Sequence, residues 1–262
     1  MLRNINSLIG HAIHATDGEL GKVEDFSFDD RTWDIRYMVV GTGSWLSGRK
    51  VLIAAAALQA PDRQAKTFPV ALTRQQVRNS PDIDTAKTVT RQHELDLHNH
   101  YAWPLYWGEG FYAGSMSGGM LFPPAGEEEK KPGAEAPGDS HLQSARAVDG
   151  YRLHALDGTI GHVKDFIVDD EAWIIRYLVG DLGAWLPGRK VLISPNWIES
   201  VDWETSEVFV DLKREAIRSS PEFDPSRPVR VDYESSLYAH YGRVKPADKA
   251  AGAGALPGGG KR

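Results

Sequence analysis

Cysteine is absent from the 262 residues, which excludes disulfides, thiolate metal sites and a cysteine nucleophile. Long apolar runs are missing as well, and none approaches the ~20 residues a membrane-spanning helix needs. The opening stretch, MLRNINSLIGHAIHATDG, interrupts its apolar positions with polar ones before a signal-peptide core could form. Positive charge is in deficit: the net charge is −6 and the pI is near 5.9. The totals therefore lack the basic footprint of a nucleic-acid binder. Neither a phosphate-loop glycine pattern nor G-x-S-x-G occurs. These deficits predict a cytoplasmic protein with no membrane span, no nucleic-acid partner and no cofactor.

What the chain does have is itself, twice. Aligned at an offset of 140, it matches without a gap from about residue 7 to residue 101, and 24 of the 40 positions from residue 14 to residue 53 are identical. The nonapeptide WLSGRKVLI at residues 45–53 returns as WLPGRKVLI at residues 185–193. Two homologous domains follow, at residues 1–101 and 147–245. The segment between them, 102–146, opens on the aromatic run YAWPLYWGEGFY and continues rich in Gly, Pro and charge, without periodicity. It reads as a linker that cannot bury a core. Residues 246–262 read as a disordered tail.

Inside each repeat the period is two. Trp33, Ile35, Tyr37 and Val39 alternate with Asp34, Arg36 and Met38, which predicts a strand with one face in a core. Phe26 and Phe28 give a second strand, and the parity slip after Val23 predicts a bulge. Asp17-Gly18 and Asp157-Gly158 are tight-turn signals. Val51 with Ile53, then Phe68 with Val70 and Leu72, complete a meander whose last strand carries Pro69 on an edge. Thr73 with Gln76 resembles a capping box, which Lys213 cannot repeat. Glu94, Leu97, His98 and Tyr101 share a helical face, as do Glu234, Leu237, Tyr238 and Tyr241. The fold class is mainly β: two small barrels with short terminal helices.

The strings GKVEDFSFDDRTWDIRYMVVGTGSWLSGRKVLI and GHVKDFIVDDEAWIIRYLVGDLGAWLPGRKVLI closely resemble the PRC-barrel family. Its members include the cytoplasmic domain of the photosynthetic reaction-centre H subunit and the C-terminal domain of a ribosome-maturation factor. The resemblance implies two six-stranded barrels in tandem that act as assembly or interaction modules, with no shared catalytic set. It lacks the H subunit's membrane helix and the maturation factor's other domain.

Candidate sites divide accordingly. Ser47-Gly48 and Pro187-Gly188 make the hairpin turns, Pro followed by Gly being the type II signature, and those turns set Trp45, Arg49, Trp185 and Arg189 near barrel rims as anchors for a partner. Trp103 and Trp107, in the aromatic run, are the other partner-binding candidates, if those rings do not instead cover a barrel end. Asp30 with Arg36 and Asp170 with Arg176 read as structural ion pairs that fix a hairpin. His93, His98 and His100 do not share one helical face, so no metal site is expected. The resulting expectation is a non-enzymatic protein that docks on a macromolecular, protein partner or pairs with itself, its two barrels packed as a pseudo-two-fold pair. The alternatives are an accessory subunit of a membrane complex and a small-molecule or metal-dependent enzyme working in a cleft between the barrels.

Overall fold

The computed structural model describes residues 1–62, 64–81, 89, 91–106, 141–183 and 187–245. Trp107 and Trp185 therefore lie outside the described residues, as do most of the linker and the tail.

The first repeat supplies β1 (Leu2–Asn4), β2 (Ala12–Ala15), β3 (Gly18–Asp29), β4 (Ile35–Gly41), β5 (Lys50–Ala54) and β6 (Thr67–Pro69), then α1 (Arg74–Arg78) and α2 (Arg91–Tyr101). The second supplies β7 (Leu142–Ser144), β8 (Arg152–Ala155), β9 (Gly158–Asp169), β10 (Ile174–Asp181), β11 (Lys190–Ile193), β12 (Ile198–Asp202) and β13 (Glu207–Val210), then α3 (Arg214–Ser219) and α4 (Val231–His240). The protein is mainly β, with the strands in two sheets and short helices after each.

The alternating residues read in the sequence lie in the core, but from Tyr37 onward the other face of β4 is buried as well, at Met38 and Val40. Phe26, Phe28, Ile35, Tyr37, Val51 and Ile53 are all buried, and so are their counterparts Phe166, Val168, Ile175, Tyr177, Val191 and Ile193. The expected bulge is present, as a register shift between Val23 and Asp25 against β4. Two further details differ from the sequence reading. Trp33 and Trp173 precede their strands in left-handed turns, with φ of 62° and 53°. There Trp33 stacks on Phe28, ring centroids 5.3 Å apart. The last strand of each copy also turns back to the first: β6 pairs in parallel with β2, and β13, beside its antiparallel pairing with β12, pairs in parallel with β8. A strand's apolar pattern says which face is buried but not which neighbour it joins.

The largest departure is in the domain boundaries. The chain divides into two compact units, one of Leu8–Ser144 and the other of Met1–Ser7 with Ala145–Arg262. β1, at the head of the first repeat, pairs antiparallel with β9 of the second, Leu2 opposite Asp169, Arg3 opposite Val168 and Asn4 opposite Ile167. β7, at the head of the second repeat, pairs antiparallel with β3 of the first, Leu142 opposite Asp29, Gln143 opposite Phe28 and Ser144 opposite Ser27. Each partner number differs by 140, so the repeats exchange their first strands in one common register. Residues 1–7 thus leave the first domain as drawn from the sequence, and residues 142–144 leave the linker to join it.

The long central strand explains why an exchanged strand fits. On one side β3 pairs with β4 along most of its length. On the other, β2 covers Gly18 to Lys22 and stops short of the far end. The remaining edge, at Ser27 to Asp29, carries backbone groups that need partners, and β7 supplies them. β9 has the same layout, with β8 covering Gly158 to His162 and β1 covering Ile167 to Asp169.

Candidate functional site

The exchange seam is where the doubled acidic motif acts. The first acid of each pair holds the local turn: Asp29 Oδ1 accepts from the amides of Arg31 and Thr32 at 3.0 and 3.2 Å, and Asp169 Oδ1 accepts from Glu171 at 3.1 Å. The second acid holds the incoming strand. Asp170 is bonded by Arg3 Nε and lies 2.5 Å from the Met1 amino group, while its own amide donates to the Met1 carbonyl at 3.0 Å. Asp30 lies 3.3 Å from His141 Nδ1 and accepts from Gln143 Nε2 at 3.3 Å, while its amide donates to the His141 carbonyl at 2.8 Å.

The Asp30–Arg36 pair expected from sequence is thereby corrected. Arg36 Nη2 reaches Asp34 at 3.0 Å and Asp29 at 3.5 Å, and its guanidinium lies 3.8 Å from the centre of the Tyr106 ring. Asp30 and Asp170 project from the turn toward the added strand, and Asp170 is engaged there by Arg3 instead of the expected Arg176. Nothing within one repeat could have shown this, because the partner lies in the other.

A third pair of acids completes the seam. Asp165 accepts from Asn4 Nδ2 at 3.0 Å and from the Asn6 amide at 3.1 Å, and Asp25 accepts from Ser144 Oγ at 2.5 Å. Burial pushes the Asp165 carboxyl above the usual carboxylate range, and the hydrogen bonds from Asn4 and Asn6 offset that in part. Ile5, next in the added segment, is buried to 2 % exposure and anchors it in the core.

The rim residues have a different role from the one the sequence suggested. Residues 43–46 form a 3-10 turn, and Ser47 and Gly48 follow in the left-handed region at φ 54° and 74°. Half-buried Trp45 donates its indole N–H to the Leu20 carbonyl, with Arg74 4.7 Å from its ring centre. Arg49 Nη2 donates to the Ser80 carbonyl at 2.7 Å, to Ser80 Oγ at 3.2 Å and to the Pro81 carbonyl. Arg189 Nη2 donates to the Ser220 carbonyl at 2.5 Å. A guanidinium in these positions ties the start of β5 or β11 to the end of α1 or α3. The two arginines are fitted as scaffold, not as free anchors. Trp103 is half-buried and stacks on Tyr101, ring centroids 4.2 Å apart.

The C-terminal helices repeat a buried polar contact. Glu94 Oε1 accepts from the Tyr37 hydroxyl at 3.1 Å and the Tyr106 hydroxyl at 2.6 Å. Glu234 Oε1 accepts from Tyr177 at 2.6 Å, and Lys245 reaches its other oxygen at 2.9 Å. His98 lies 2.8 Å from the Tyr37 hydroxyl and donates from Nδ1 to the Pro104 carbonyl at 2.9 Å. His100 and His240 donate to the carbonyls of Gln76 and Ala216, at 2.9 and 2.8 Å. The Thr73–Gln76 capping box is formed, and Lys213 makes no side-chain cap. Among the described residues no cluster of three metal-ligating side chains occurs. In the second-repeat unit a groove of about 560 Å³ runs beside α4 over Pro221, Phe223, Val229 and Tyr233. Its Arg227 and Arg230 pair with Asp224 and Asp232 at 3.1 and 3.4 Å.

Two outcomes follow from these contacts. Arg49→Ala should lower the unfolding free energy by about 2 kcal/mol in urea melts, because charge-assisted bonds to half-buried carbonyls are removed. Arg49→Lys should recover less than half, since one ammonium cannot span the carbonyls of Ser80 and Pro81. The second concerns alkaline pH. Burial raises the Tyr241 hydroxyl from 10.0 to about 12, against the opposing effects of Ser220 and Arg189. The folded state then keeps a proton that the unfolded chain loses, so stability falls as pH climbs from 10 toward 12. Tyr241→Phe should flatten that fall when unfolding free energies are compared across the interval.

Residues 2–71 match the family model described as the PRC-barrel domain. The match begins in β1 and ends just past β6, so it takes in the strand that lies in the other repeat's sheet. No curated protein matches the chain. No helix among the described residues is long and apolar enough to cross a membrane. The first repeat is thus similar to the PRC-barrel domain, over residues 2–71 of the 262.

Proposed function

We propose that this protein is a non-enzymatic assembly module, built from two PRC-barrels in tandem, that docks on a protein partner or pairs with itself. The observation that carries the reading is strand addition: the open edge of β3 and that of β9 each receive a strand from a distant part of the chain. Adding a strand to a sheet edge is a general mode of protein recognition, in which backbone hydrogen bonds give affinity and flanking side chains give register. The polar contacts that recur in both repeats support the same view. Arg49 and Arg189, Glu94 and Glu234, and Asp30 and Asp170 each hold one part of a unit to another.

Sedimentation equilibrium of the purified chain, combined with capture on the immobilised chain from an extract of its source cells, tests the reading. It calls for self-association, or for a retained protein whose binding saturates and is competed by free chain. A chain that stays monomeric, retains no protein and turns over a small molecule would contradict it.

A further inference from the structure

We propose that the edge of β9 at Ile167 to Asp169 accepts residues 1–7 of a second copy of this chain, so that copies join by exchanging β1. This rests on the assembly reading above and names its partner.

Three observations converge on a second copy. First, the strand that fills this edge comes from the chain's own head and is short, with three residues in register. An edge complementary to a segment of one copy is complementary to the same segment of any other, and swapping an identical element is a low-cost route to association. Second, the seam consists of discrete contacts that any copy can remake: Arg3 to Asp170, Asn4 and Asn6 to Asp165, and Ile5 in the core. Third, the chain already carries out the exchange between its repeats, at two edges in one register. The acids that receive the strand are the same at both, Asp25 with Asp30 and Asp165 with Asp170, while the donors differ, Gln143 and Ser144 against Arg3 and Asn4. The acceptor chemistry is thus fixed and the donor is replaceable.

The absence of cysteine makes a direct test possible. Leu2 and Asp169 are opposite one another in the antiparallel pair, a separation a disulfide can bridge. Full-length Leu2→Cys and full-length Asp169→Cys, each with a single thiol, are mixed in mild urea, returned to buffer and oxidised. Exchange between copies shifts the mixture from the monomer mass to a disulfide-linked dimer of double that mass, and peptide mapping finds position 2 joined to position 169. Neither variant alone should give this linkage, nor should Leu2→Cys mixed with Glu199→Cys, whose thiol lies off the seam. The double variant Leu2→Cys/Asp169→Cys serves as the folding control and should close its disulfide within the monomer. If that control closes while the mixture gives no more dimer than the Glu199→Cys mixture, exchange between copies is overturned. Sedimentation of the wild-type chain separates the two proposals: association without the 2–169 linkage leaves the assembly reading standing and removes β1 as its means.

Discussion

An unpaired sheet edge is the constraint on which this structure turns. β3 and β9 are each twelve residues long, and the strand beside them covers only the first part of one side. Backbone donors and acceptors left open near a core are costly. Both edges are completed by the head of the other repeat, and the rest of the seam follows from that. The doubled acids divide their work between turn and strand, Ile5 becomes a core residue of the second unit, and the chain's first residues belong with its last hundred.

Duplication gives this arrangement a simple logic. A single barrel that donates its first strand to a twin is a swapped homodimer, and joining two copies in one chain keeps the same connectivity. The common register, offset by 140 at all three strand positions, is what such a history leaves behind. The side chains that fix the register have diverged on the donor side and stayed the same on the acceptor side. Asp25 and Asp165, and Asp30 and Asp170, keep their roles while Arg3 and Gln143 differ.

Much of each repeat could be read from its sequence because the relevant interactions are local or periodic. Tyr37 and Ile53 follow from the period-two pattern, the Thr73–Gln76 cap from spacing, and the bulge after Val23 from a parity slip. The exchanged strands could not be read this way. LRN and LQS are too short to carry a period, and their partners lie 113 to 167 residues away. One signal was present: the 140 offset continues through Leu2 and Leu142, ahead of the clear part of the repeat. The role of Arg49 and Arg189 is hidden for a related reason, since the carbonyls they hold lie some 30 residues further on, in the turn after a helix. Arg36 found Asp34, a near neighbour, because the acid assigned to it faces the added strand.

Amide hydrogen exchange tests the strand exchange most directly. The Asp170 amide donates to the Met1 carbonyl, and the Asp30 amide donates to the His141 carbonyl. Exchange rates would be compared between the whole chain and a chain lacking residues 1–7. If the repeats trade their first strands, protection falls at residues 167–170 of β9 and its turn, while Asp30 and the end of β3 keep theirs. Loss of protection at residues 27–30, with Asp170 unchanged, would show that each repeat keeps its own strand and would contradict the exchange.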